Sequence, residues 1–200
     1  MSEKTAKSVG ALISAAGLSS RMGSLKALLP FGGGTMISAC VDNMRLAGAD
    51  KIVVVTGYRA EEIEKTLDGS GCVCLRNPDY ATTHMFDSLC IGLEELADYE
   101  KVLICPVDAP AVKAETILAL LRGAGDFVRP RYEGKAGHPV LLKGDKIPRI
   151  LSHGGEGGLR GAIESLGLEI TEIETGDAGC VMDADTPEDY RRMLEICEKL

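Results

Sequence analysis

Strand-like and helix-like stretches alternate along almost the whole of this chain, and that alternation restricts the fold more than any other feature. Residues 9–15, 51–56 and 101–105 are apolar nearly throughout, the pattern of strands buried on both faces. Between and after them, residues 35–47, 60–67, 86–97 and 114–122 place apolar side chains at helical spacing. Shorter strand-like runs lie at 72–75 and 126–129. Such β-α alternation predicts a parallel sheet with helices packed on both faces, a three-layer α/β/α sandwich.

The rhythm changes after Arg129. Residues 128–132 and 138–142 flank Glu133-Gly134-Lys135-Ala136-Gly137, a turn composition, which predicts an antiparallel hairpin in an otherwise parallel sheet. A helix over 147–152, a glycine cluster at 154–158, a strand over 168–173 and a last helix running to Leu200 complete the pattern. Thr186 suits the N-cap of that helix, Pro187 its first turn, and Glu188 and Asp189 its dipole.

At 200 residues the chain fits one domain able to bury roughly 70% of its unfolded surface, with residues 1–8 as a frayed polar tail. A net charge of -8 argues against nucleic acid or an anionic membrane as partner. No apolar stretch approaches the roughly 20 residues of a membrane span, and residues 1–8 lack the apolar core of a secretory signal. A cytoplasmic location is expected. The seven cysteines then read as reduced, mostly buried thiols, with Cys72 and Cys74 on one face of a strand. Aromatic residues make up only 4% of the chain, so any ring must be recognised largely by backbone and apolar contacts.

The chemistry concentrates just after the first strand. Ala15, Ala16 and Gly17 are followed by Ser19, Ser20, Arg21, Gly23 and Lys26. Small residues at the end of a strand let backbone N–H groups approach a ligand, serines add hydroxyl donors, and Arg21 and Lys26 add positive charge. These are the parts needed to hold a polyphosphate. The spacing matches neither a Walker A loop nor the dinucleotide G-x-G-x-x-G pattern. Asp108 follows a buried strand and is bracketed by Pro106 and Pro110. It is either a turn aspartate or, beside a polyphosphate, a natural Mg²⁺ ligand. Asp183 and Asp185, two apart in an extended segment, point the same way, as cap residues of the last helix or as metal ligands.

The stretch from Leu12 to Pro30 resembles the signature of the nucleotidyltransferases related to molybdenum cofactor guanylyl- and cytidylyltransferase. The resemblance continues in family order through Pro106-Val107-Asp108-Ala109-Pro110, Gly137-His138-Pro139-Val140, Gly157 to Arg160, and Asp183-Ala184-Asp185-Thr186-Pro187-Glu188-Asp189. It implies a Rossmann-like fold and transfer of a nucleoside monophosphate from an NTP to a phosphorylated acceptor, with release of pyrophosphate. It implies Mg²⁺ on Asp108 and Asp185, with Asp183 behind them. Nucleotide contacts would come from Ala15, Ala16, Gly17, Ser19, Ser20, Arg21, Lys26, Asn77 and Ser88, with Arg21, Lys26 and Asp108 catalytic. It places His138 and Arg160 toward the acceptor. The Ala-Ala-Gly form of the first loop resembles the cytidylyltransferases and implies CTP as donor. Molybdopterin in its molybdenum form leads as acceptor, with a molybdoenzyme or its chaperone as protein partner. A sugar phosphate, phosphocholine or an isoprenoid-precursor phosphate fits the same residues. The departure from the family is Thr83-His84-Met85-Phe86-Asp87, where relatives carry glycine and more serine. Asn77 can equally be a turn former, His84 a polar loop residue, and Arg160 a surface arginine.

Overall fold

The computed structural model describes residues 7–18 and 22–197. Strand β1 (Lys7–Ala15) lies at the centre of an eight-stranded sheet. It pairs in parallel with β4 (Lys51–Thr56) on one side and with β6 (Tyr99–Pro106) on the other. Strand β5 (Val73–Arg76) continues the parallel arrangement beyond β4 and forms one edge. The two neighbours of β1 therefore lie on opposite sides of it. A crevice opens at the carboxyl ends of β1 and β6, where open α/β sheets take their ligands.

The far side of β6 is mixed. Strand β9 (Val140–Lys143) lies antiparallel to both β6 and β7 (Phe127–Tyr132), and β10 (Ile170–Glu174) pairs in parallel with β7 at the other edge. The predicted hairpin is present in two parts. Tyr132 pairs with Lys135 of the short β8 (Lys135–Ala136) across Glu133 and Gly134, both at positive φ (46° and 79°), as a two-residue hairpin turn of the primed kind requires. The chain then passes through Gly137–Pro139 before entering β9. A minor pairing, β2 (Pro30–Phe31) with β3 (Gly34–Thr35), lies outside the main sheet.

Alternation along the central strands divides the core in two. Ala11 and Ile13 of β1, Val54 of β4 and Leu103 of β6 face a layer built by α1 (Met36–Leu46), α2 (Ala60–Thr66) and α4 (Ala114–Arg122). Leu12, Val53, Val55, Val102 and Ile104 face the opposite layer of α3 (Met85–Glu95), α5 (Ile147–Leu151) and α6 (Gly158–Ser165). Helix α7 (Pro187–Cys197) buries Met193 in a smaller cluster with Met36 and Ala184. The result is a Rossmann-like α/β/α sandwich with seven α-helices among the described residues.

Local chemistry sets the helix ends. Thr35 and Ser38 form a reciprocal capping box at α1, with Ser38 N donating to Thr35 Oγ1 at 3.3 Å and Thr35 N to Ser38 Oγ at 2.8 Å. Thr186 caps α7 in the same way with Asp189. Gly92 lets α3 lie close on the sheet: a Cβ there would fall 2.2 Å from Leu12 Cδ1.

Two expectations need correction. The first strand reaches back to Lys7, into the stretch read as a tail; residues 1–6 lie outside the described residues, as do residues 198–200, to which the last helix was expected to run. The glycine cluster at 154–158 is followed by α6, which sequence composition concealed. Its buried residues Ala162 and Ile163 follow so many glycines that the helical period is not visible over a full window.

Candidate active site

Two loops and one short turn converge at the carboxyl ends of β1 and β6. Ala15 closes β1, and Ala16 and Gly17 begin the loop; Lys26 opens a 3₁₀ turn at Lys26–Leu28. Val107 N donates to Ser14 O at 3.1 Å, tying the loop after β6 to the end of β1. Ala184 N donates to Asp108 O at 3.2 Å, tying that same loop to the segment before α7.

These ties bring three charged side chains together. The Lys26 ammonium donates to Asp108 Oδ2 at 3.2 Å and to Asp185 Oδ1 at 2.7 Å. Lys26 is 8% exposed, while its two partners are open enough to meet a ligand. Residues separated by 82 and 159 positions along the chain thus share one point. Asp183 lies within electrostatic reach of Asp108, Asp185, Lys26 and His138. Burial, and next the charge of Asp108, push its carboxyl up from the ordinary value. Burial pushes His138 down, against the opposing pull of Asp183 and Asp108, and keeps the ring neutral near pH 7. His138 Nδ1 is buried with no hydrogen-bond partner.

A cleft of about 410 Å³ opens over this cluster. Its walls include Ala15, Ala16, Gly17, Lys26, Ser88, Asp108 and Asp185, seven of the residues the sequence points to. Ser19, Ser20 and Arg21 lie outside the described residues. Asn77 does not line the cleft. It is buried, and its side-chain amide donates to Thr83 Oγ1 at 3.0 Å and to Ser88 Oγ at 2.9 Å, while its Oδ1 accepts from Asp79 N at 2.9 Å. It holds the turn and orients two hydroxyls that do face the cleft. Arg160 does not line the cleft either; it is exposed on α6 and paired with Glu164 at 2.7 Å.

Several wall residues were not singled out from the sequence. Tyr80 lines the cleft and pairs with Tyr58, ring centroids 6.3 Å apart. Leu18 and Met85 line it too, both largely exposed. The cleft therefore has a charged floor and an apolar, partly aromatic rim. The signal was faint: one tyrosine after Asn77-Pro78-Asp79 in a chain poor in aromatics. Gly57 permits this placement, since a Cβ there would fall 2.7 Å from both Ala16 O and Tyr80 Cβ. Ala15 and Ala16 also pack into the two core layers, and Tyr80, Leu18 and Met85 supply the larger apolar side chains of the cleft wall.

Two carboxylates sharing one ammonium can also share a divalent cation. Mg²⁺ takes one or two carboxylates and fills its remaining positions with substrate phosphate and water. Among the described residues no group of three or more His, Cys, Asp and Glu is arranged to hold a metal. Two carboxylates at one point are a donor set that fits a cation shared with a phosphate-bearing substrate.

A fold with its crevice at the strand ends, floored by a lysine and two aspartates behind a small-residue loop, has the layout of an enzyme that handles nucleoside triphosphates. Residues 11–170 match the MobA-like NTP transferase domain, and the chain belongs to that family and is a nucleotidyltransferase. Among individual proteins, it is 29% identical over 185 residues to the molybdenum cofactor cytidylyltransferase of Escherichia coli K12, covering 91% of this chain and 93% of that one. The structure of Rv0371c from Mycobacterium tuberculosis superposes with a TM-score of 0.84 at 26% identity, covering 96% of this chain and 99% of that one. A second structure of that protein is a complex with manganese. A nucleotidyl transferase from Methanothermobacter gives the same TM-score and identity over 96% and 98% of the two chains. No helix among the described residues is long and apolar enough to cross a membrane.

Proposed function

We propose that residues 1–200 act as one Mg²⁺-dependent nucleotidyltransferase domain that moves a cytidylyl group from CTP to a phosphorylated acceptor, with molybdopterin in its molybdenum form as the leading acceptor. The observation that carries this reading is the Lys26–Asp108–Asp185 cluster at the cleft floor. The similarity to a cytidylyltransferase over nearly the whole chain supports the choice of donor and acceptor.

In this reading Asp108 and Asp185 hold the metal ion, which when bound would polarise the α-phosphate. Lys26 and Arg21 offset the charge that develops on the leaving pyrophosphate. Ser19, Ser20 and the N–H groups after Ala15 cradle the phosphates, and Asn77 acts through Ser88 at the nucleotide's edge. No side chain need remove a proton from the nucleophile. A phosphate monoester has its second pKa near ~6, so it already attacks as an anion at neutral pH. Catalysis then rests on alignment and charge neutralisation. His138, buried with Nδ1 unpartnered and outside the lining of the cleft, is assigned to the acceptor side by the family resemblance alone.

The test is pyrophosphate release with CTP, GTP, ATP and UTP in turn, with Mg²⁺ and a panel of acceptors: molybdopterin, sugar phosphates, phosphocholine and an isoprenoid-precursor phosphate. Expected is turnover with CTP and the pterin phosphate, lost in Asp108→Asn. A clear preference for GTP would overturn the donor assignment. Turnover in Asp108→Asn at the wild-type rate would overturn the metal site.

A further inference from the structure

The segment between β6 and α4 carries Asp108 yet is neither strand nor helix. Together with the last residue of β6 it reads Pro106-Val107-Asp108-Ala109-Pro110-Ala111-Val112, whose two prolines have no N–H group. Ala109 N donates to Pro106 O at 3.3 Å, and other carbonyls of the segment take their donors from elsewhere in the fold. Three of those carbonyls are met from a single face of α1. Cys40 Sγ lies 3.7 Å from Val107 O. The side-chain amide nitrogen of Asn43 lies 3.0 Å from Pro110 O and 3.1 Å from Val112 O. Positions 40 and 43 are one helical step apart and share a face.

The amide nitrogen of Asn43 carries two hydrogens, and the two carbonyls it meets lie just beyond Asp108. The carbonyl that Cys40 meets lies just before it. The aspartate is thus gripped on both sides from one helix, and it passes that placement to Asp185 through the bond from Ala184 N to Asp108 O. Asparagine is a poor helix former because its amide competes for backbone groups. Here that competition is directed outward, onto the loop. Asn43 is not among the cleft-lining residues.

We propose that Asn43, assisted by Cys40, is a positioning residue for the transfer reaction: α1 sets the position of Asp108 in the cleft floor and so the spacing of the two carboxylates offered to the metal. The inference rests on the reading of Asp108 and Asp185 as the metal ligands. Mg²⁺ and Mn²⁺ sites demand close, nearly octahedral oxygen placement, and a misplacement of about 1 Å can cost on the order of 10²-fold in rate. A grip on loop carbonyls therefore has a functional effect out of proportion to its effect on stability.

The test uses Mn²⁺ as probe, with its free-ion electron paramagnetic resonance signal titrated in the presence of CTP. The variants are Asn43→Ala, which removes the donors, and Asn43→Asp, which keeps the shape but offers an ionised oxygen to two carbonyls. Cys40→Ala is a milder third. Expected is a tenfold or greater loss of Mn²⁺ affinity in both Asn43 variants and a smaller loss in Cys40→Ala. CTP binding without metal should stay within threefold of wild type, which also shows that the variants are folded. Wild-type Mn²⁺ affinity in Asn43→Ala and Asn43→Asp, together with its loss in Asp108→Asn, would overturn this inference and leave the proposed function standing. Wild-type affinity in Asp108→Asn would overturn both. Should the Asn43 variants fail to fold, Cys40→Ala decides: unchanged Mn²⁺ affinity there counts against the grip.

Discussion

Replacing Lys26 by Met should move nucleotide and metal affinities in opposite directions. Met keeps an unbranched apolar stem in a position only 8% exposed, so the 3₁₀ turn retains its packing. What disappears is the ammonium bonded to Asp108 Oδ2 at 3.2 Å and Asp185 Oδ1 at 2.7 Å. In the proposed reaction that ammonium also meets the phosphates. Losing one charge-assisted hydrogen bond costs about 1.5–3 kcal/mol, or roughly 10- to 150-fold in CTP affinity. A cation alone faces the reverse situation, because Lys26 occupies the same two oxygens it needs. A unit charge and a divalent ion about 4 Å apart repel by about 2 kcal/mol even at the dielectric constant of water. Asp108 and Asp185 are 22% and 39% exposed at their side chains, so the site lies between that limit and a drier one. Mn²⁺ without nucleotide should therefore bind at least tenfold more tightly to Lys26→Met than to wild type. Isothermal titration with CTP and Mg²⁺, and a Mn²⁺ titration followed by electron paramagnetic resonance, read the two effects separately. If Lys26→Met binds CTP as wild type does, or binds Mn²⁺ alone no more tightly, the ammonium does not do what its geometry indicates.

Tyr80→Ala should raise the KM for the nucleotide while Tyr80→Phe stays near wild type, since stacking on an aromatic ring is worth about 1–3 kcal/mol per base; equal KM values in wild type and Tyr80→Ala would place the base elsewhere. Gly92→Ala should lower stability by about 1–3 kcal/mol through overpacking against Leu12 and Val55, seen as a melting temperature several degrees lower, although alanine is the better helix former; an unchanged melting temperature would show that α3 has room to move. His138 is buried with its pKa below the ordinary 6.5, so the unfolded chain takes up its proton first. The stability this gives is present above about pH 6.5 and is lost as pH falls through the lower native value. Wild type should therefore lose stability as pH falls below about 6.5 more steeply than His138→Gln, measured by urea unfolding, and parallel curves would rule out a contribution from this ring.

Much of the architecture is written locally in the chain. Ile52-Val53-Val54-Val55 is a strand because branched apolar side chains suit a sheet covered on both faces. Thr186 begins α7 because its hydroxyl and the carboxylate of Asp189 satisfy free N–H groups at the helix start. The small residues after β1, the proline-bracketed Asp108 and the paired Asp183 and Asp185 stand out as candidates by type and spacing, with turn and cap roles open to the aspartates on the same pattern. None of that depends on knowing which strand lies beside which.

Tertiary structure decided what those residues meet. Lys26 finds Asp108 and Asp185 only because β6 lies directly beside β1 and the segment before α7 is tied to the loop after β6. Local pattern fixes which face of an element is buried but not the element it is buried against. The same limit explains Asn77 and Arg160. Their types fit a binding site, yet one is spent holding Thr83 and Ser88 and the other pairs with Glu164 on its own helix. It also explains Tyr80 and Asn43, which carry no motif and gain their places from packing alone. Strand β9 is the plainest case: its apolar run is legible in the sequence, but its position between β6 and β7, antiparallel to both, follows from which edges of the sheet were left unpaired. That is a property of the assembled fold and of no single segment.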